Sequence, residues 1–110
     1  MKIFVNEKEI DAVAYDNYLV KEMLGEQNGC LAGCRTGLLS YTQEEYKQGG
    51  VHDDQEVFFV LSGSGSAMIG DEEFSIEPGV CFIASPGTYH SIKKDLSCNY
   101  IKLFFFHAAV

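Results

Sequence analysis

The sequence predicts an all-β chain, antiparallel and closed as a sandwich or barrel with little or no helix. Three observations carry this. Seven short apolar runs follow residue 37, glycine-rich turns separate them at intervals of about eight residues, and no stretch between them has the periodicity of an amphipathic helix. A parallel βαβ architecture is excluded, because each crossover needs about a dozen residues or more.

The elements follow in order. Residues 3–5 read as a short edge strand, which Asn6-Glu7-Lys8 turns toward a second strand near Ile10. Residues 18–24 fit either one more strand or a helical turn. Strands are then expected at 38–42, 57–61, 67–69, 74–76, 80–84, 91–93 and 98–106. The punctuation is Gly49-Gly50, Gly63-Ser64-Gly65, Gly70-Asp71, Glu77-Pro78-Gly79 and Ser85-Pro86-Gly87. Gly63-Ser64-Gly65-Ser66-Ala67 has the look of a phosphate loop, but it lacks the Lys-Ser/Thr ending and leads into a strand, so it reads as a hairpin turn. Residues 57–61 and 102–106 are apolar at nearly every position. A strand greasy on both faces is buried on both, which predicts a second sheet outside it or a second subunit, and hence a homodimer formed through a sheet face.

Composition narrows the function classes. In a chain of 110 residues, 46% hydrophobic and 13% aromatic, there is apolar material for a packed core, which excludes intrinsic disorder. The net charge is −8, and between Glu44 and Glu77 nine acids face one base, Lys47. Phosphate backbones and anionic membranes are repelled by such a surface, so neither nucleic acid nor membrane is an expected partner. No apolar run approaches the roughly 20 residues of a membrane span, and Met1-Lys2 leads into no signal-type stretch; the expected location is the cytoplasm. Cys30 and Cys34 are spaced C-x3-C without a partner pair of zinc-finger type, and Cys81 and Cys98 fall in apolar runs where a thiol acts as a small core residue. Reduced thiols are the expectation, with a redox or ligand role open for the glycine-flanked Cys30 and Cys34.

Chemistry concentrates at His52, Glu56 and His90. On a straight strand His52 and Glu56 would stand about 13 Å apart at ~3.3 Å per residue, too far to share an ion. Asp53-Asp54-Gln55 is turn-prone, so His52 is expected to end one strand and Glu56 to open its neighbour as a cross-strand partner. His90, after the Ser85-Pro86-Gly87 turn, can bring a third group. Two imidazoles and a carboxylate are the ligand set of non-haem Fe(II) sites, and they also suit Mn, Ni or Zn with positions left for water or substrate. His107, near the chain end, reads as a surface or hydrogen-bonded histidine.

These residues carry a family resemblance. The stretch from Gly49 through His52 and Glu56 to Gly63 resembles the first cupin motif, G-x5-H-x-H-x3-4-E-x6-G. The stretch from Gly79 through Gly87 to His90 resembles the second, G-x5-P-x-G-x2-H-x3-N. Four positions depart from the pattern: Gly50 stands at the first histidine, Glu44 at the opening glycine, Ser85 at the proline and Lys94 at the terminal asparagine. The resemblance implies a small, RmlC-like jelly roll, a double-stranded β-helix, with one cupin domain over residues 1–110. Residues 37–106 would form the barrel core, and residues 1–36 the N-terminal strands and a dimer-contact segment. It also implies three of the four usual metal ligands, His52, Glu56 and His90, with an ion-free pocket as the alternative.

A divalent ion so held would act on a small oxygen-rich substrate in dioxygenase, isomerase, decarboxylase or lyase chemistry. Phe58, Phe82, Tyr89 and Phe104 are expected to shape the cavity, and Tyr89, His52 and His90 are the catalytic candidates. Two other readings stand beside this. One is a metal-free protein related to sugar-nucleotide epimerases, with His52 or His90 as base and a tyrosine as acid; a single arginine, Arg35, speaks against a nucleotide site. The other is a non-catalytic ligand sensor.

Overall fold

The computed structural model describes residues 1–47 and 49–109. Nine strands carry the fold: β1 Val13–Ala14, β2 Tyr18–Glu22, β3 Arg35–Tyr41, β4 Gln55–Ser62, β5 Gly65–Ile69, β6 Glu72–Ile76, β7 Cys81–Ala84, β8 His90–Lys94 and β9 Ile101–Ala108. Two single 3-10 turns, Glu7–Glu9 and Glu26–Asn28, are the helical segments among the described residues. The strands form one six-stranded sheet, β1-β2-β3-β9-β4-β7, and one three-stranded sheet, β6-β5-β8, with antiparallel pairing throughout.

The core lies between the sheets. Val20, Leu39, Tyr41, Phe58, Val60, Leu103 and Phe105 come from the larger sheet, and Ala67, Ile76 and Ile92 from the smaller. Strict alternation puts every second residue of β4 and β9 inside: Glu56, Phe58 and Val60 on one, and Ile101, Leu103, Phe105 and His107 on the other.

The opposite residues answer the question raised by the doubly apolar strands. Pairing registers place Leu38, Phe104, Phe59 and Cys81 in one outward row, and Thr36, Phe106, Val57 and Ile83 in the next. The smaller sheet packs on the other face. Part of the outer face is covered by the first 3-10 turn, where Glu7 pairs with Lys102 at 3.0 Å and Lys21 at 4.0 Å. Beyond it, Phe59, Leu61, Ile83 and Phe106 are exposed.

Several expected elements shift. Residues 3–5 and Ile10 form no strand; Ile3 and Phe4 are exposed, and the sheet edge next to β2 is taken by β1. Of residues 18–24, Tyr18–Glu22 form strand β2 and the last two lie beyond it. Residues 98–100 precede β9, where the Cys98 thiol donates to the Ser64 carbonyl at 3.4 Å instead of entering the core. Cys81 faces outward and is exposed, because the parity of β7 sends Phe82 and Ala84 inward. Gly63-Ser64 makes no hairpin: it carries the chain from β4 in one sheet to β5 in the other, with Gly63 at φ 80°. The hairpin is at Gly70-Asp71, joining β5 to β6 across the Ile69–Glu72 pair.

Candidate metal centre

Three elements converge at one end of the core. Glu56 is the second residue of β4, His90 opens β8, and His107 lies next to last in β9, directly opposite Glu56 in the ladder. All three side chains are buried. His52 arrives from the loop before β4 and is half-exposed.

Its approach corrects one expectation. His52 ends no strand and is not the ladder partner of Glu56, which pairs with Ala84 and His107. A bend at Asp53-Asp54 folds the loop back, and Nε2 of His52 comes to 3.4 Å from Oε1 of Glu56. On the other side, Gly50 and His90 exchange both backbone hydrogen bonds, 3.0 and 2.9 Å, in an isolated bridge. The bridge requires glycine at Gly49, where a Cβ would run into the His90 carbonyl oxygen and the Tyr89 ring. Nε2 of His90 lies 3.5 Å from the same Oε1. The donor atoms of His52, Glu56 and His90 all fall within 4.8 Å of one another, so the structure brings together the three residues expected to act as a group.

Burial sets the charges here. It pushes the Glu56 carboxyl up to about 7, with Asp54 and Glu22 adding to the effect and Arg35 opposing it. It brings His90 down to about 4, helped by His52. His107 is lowered by burial and held back by its bond to Asp54. Neutral imidazoles offer lone pairs, as a cation needs.

The donor set suits a divalent ion: two imidazole nitrogens and a carboxylate oxygen converge without hydrogen-bonding one another. The space left at Gly50 abuts them, since a Cβ there would meet His90 Nε2 at 3.4 Å and His52 Nε2 at 3.5 Å.

The cavity walls differ from expectation. A space of about 160 Å³ is lined by Tyr15, Tyr18, Arg35, Tyr41 and Phe105 along with the cluster. A second, about 120 Å³, adjoins it past Asn17, Gly50 and Ser91. Phe58 and Phe82 stack on each other at 4.8 Å in the core beneath His90, 5.7 Å from Phe58. Phe104 faces outward because β9 alternation turns Phe105 inward. Tyr89 stands outside, its hydroxyl 3.5 Å from the Lys47 carbonyl. Tyr18 and Tyr41, paired across β2 and β3 with rings 5.3 Å apart, occupy the place expected for Tyr89. Their signal lay in the inward parity of strands whose pairing the sequence does not display. His107 is the next term of the row Ile101, Leu103, Phe105, whose inward direction is likewise fixed by the pairing of β9.

The cupin domain family matches residues 42–97, just over half of the chain, and the chain belongs to this family. Among solved structures it is similar to the polyketide cyclase RemF from Streptomyces resistomycificus, with a TM-score of 0.82 at 12% identity over 97% of this chain and 79% of that one. It is similar also to a protein described as a predicted oxalate decarboxylase from Thermotoga maritima, with a TM-score of 0.82 at 14% identity over 96% of this chain and 98% of that one. A third is hydroxypropylphosphonic acid epoxidase from S. wedmorenis, with a TM-score of 0.77 at 15% identity over 96% of this chain and 59% of that one. At these identities the likeness establishes the jelly-roll fold. A search of curated proteins returns no match.

Proposed function

We propose that this chain is a metallo-cupin enzyme in which His52, Glu56 and His90 hold one divalent ion that engages a small oxygen-rich ligand. The observation that carries the reading is the convergence of their donor atoms within 4.8 Å at the inner end of a tyrosine-walled cavity. A divalent ion supplies Lewis-acid polarisation of a ligand oxygen there, and iron would add one-electron chemistry. The chain's own groups do the rest. Phe105 and the stacked Tyr18 and Tyr41 limit water, and Arg35 at the mouth, 3.3 Å from Glu22, offers a cation to an acidic substituent. Tyr18 and Tyr41, kept protonated by burial, are placed to donate a hydrogen bond to a bound oxygen. A polyketide cyclase, a described decarboxylase and an epoxidase among the structural neighbours support an oxygenated small molecule as ligand class.

The reading includes a homodimer through the exposed outer face of β4, β7 and β9, with residues 1–36 as a dimer-contact segment, and a reducing, cytoplasmic setting. Elemental analysis of purified wild type against His90→Ala tests the centre. About one metal per wild-type chain and a large loss in the variant are expected; equal content in both would overturn it. Added Mn(II) or Co(II) at 100 times Kd should stabilise chelator-treated wild type by about 2.7 kcal/mol.

A further inference from the structure

We propose that His107, anchored by Asp54, is a fourth ligand of the same centre, supplying from β9 the imidazole that Gly50 lacks. The inference rests on the metallo-cupin reading above. It assigns a role to a residue ten positions beyond the end of the family match.

Three features of His107 carry it. Its Nε2 stands 3.3 Å from Oε2 of Glu56, matching His52 and His90 at 3.4 and 3.5 Å from Oε1. Three imidazoles therefore stand around one carboxylate, His52 and His90 at Oε1 and His107 at Oε2, with His107 outside the group of three donors that lie within 4.8 Å of one another. His107 is also the most buried of the three, on a strand that pairs directly with β4, so its ring is placed by the sheet and not by a loop. Its other nitrogen is already committed: Nδ1 lies 3.0 and 3.1 Å from the two carboxylate oxygens of Asp54.

That commitment determines the rest. A carboxylate only accepts, so Nδ1 must carry the hydrogen, and in a neutral imidazole Nε2 is then a bare lone pair. It faces Oε2 of Glu56, another lone-pair atom. At 3.3 Å the gap between them can be bridged by a cation or by a proton on Glu56. A carboxylate on the far nitrogen is also the usual support of a metal-bound histidine, setting the tautomer and strengthening the donor. Neither His52 nor His90 has a carboxylate on its far nitrogen among the described contacts; Nδ1 of His90 has only the Thr88 backbone near it and makes no well-formed hydrogen bond. Gly50 fits the same picture. A Cβ there would already touch both neighbouring rings, so no donor comes from that position, while His107 stands on the Oε2 side of Glu56.

The full chain loaded with Cu(II) provides the readout, with pulsed EPR counting coordinated imidazoles through their remote nitrogens. Wild type should give three, and His107→Gln two, with Cu(II) affinity reduced at least 10-fold. Asp54→Ala should lower affinity about 10–100-fold, and Asp54→Asn, which keeps an acceptor for Nδ1, should restore most of it. Circular dichroism on each variant separates lost ligation from lost fold, and the wild-type count alone already decides the question. A wild type with two imidazoles, unchanged in His107→Gln, would sink this inference and leave the three-residue centre standing. A wild type that takes up no metal would sink the underlying reading itself.

Discussion

Nζ of Lys94 lies 3.2 Å from Oε1 of Glu44, so two departures from the cupin motifs, fifty residues apart in sequence, pair with each other. Lys94 is nearly buried and also donates to the Asp95 carbonyl at 3.2 Å, while the Glu44 side chain is half-exposed. The ammonium thus replaces an asparagine and finds its acceptor where the family carries a glycine. Lys94→Ala should cost about 1–2 kcal/mol, mostly from the buried stem and its two bonds, and Glu44→Ala less than about 1 kcal/mol. Urea unfolding of both variants and the double mutant checks this; strictly additive losses would show that the pair is uncoupled.

The metal-free protein should carry two opposed pH dependences. Glu56 keeps its proton longer folded than unfolded, so from about pH 4.5 to 7 the folded state binds more protons and stability falls as pH rises. His90 does the reverse: from about pH 4 to 6.5 the unfolded state binds more, and stability rises with pH. His107, also lowered, adds to the rise. Glu56→Gln removes the falling contribution, so its stability should climb more steeply than wild type below pH 6.5, by up to roughly 1.4 kcal/mol per pH unit. Denaturant melts across pH 4 to 7 on chelator-treated protein measure both slopes, and equal slopes would refute the opposition.

Gly49→Ala should be severe for a glycine outside any named strand. The added methyl meets the His90 carbonyl and the Tyr89 ring, and relieving it means opening the Gly50–His90 bridge. A loss of about 1–3 kcal/mol is expected, with metal affinity falling because His90 moves. Thermal melts and metal titration report the two effects, and wild-type affinity in the variant would mean that the bridge does not position His90.

Phe59→Glu and Phe106→Glu test the outer sheet face. Both side chains are exposed, so the folded chain should lose little, within roughly 0.5–1 kcal/mol. A homodimer closed over this face should fall to half its mass in light scattering. An unchanged mass in both variants would place any dimer contact elsewhere.

Phe58→Ala probes what lies beneath the site. Phe58 is fully buried, stacks on Phe82 and touches the His90 ring, so about 3–5 kcal/mol should be lost, along with the rigidity of His90. A variant of near wild-type melting temperature would contradict the packing.

The turn residues and apolar runs were enough to define the sheet strands from residue 38 onward, because glycine at positive φ and period-two burial are local rules. The motif spacing also grouped His52, Glu56 and His90, although His52 reaches Glu56 from a bent loop and not from the expected neighbouring strand. Strand pairing was not legible, and the errors at the cavity trace to it. Which strand neighbours β9, and which of its faces turns inward, is decided by contacts between residues far apart in sequence: Gln55 pairs with Ala108, and Arg35 with His107. A one-residue change of parity exchanges Phe104 for Phe105 at the cavity and hides or reveals His107. The amino-acid order therefore determined most strands beyond residue 37 and the grouping of His52, Glu56 and His90. Only the folded sheets decided which tyrosines wall the cavity and that a third imidazole stands against Glu56, because inward and outward are properties of a ladder and not of a strand.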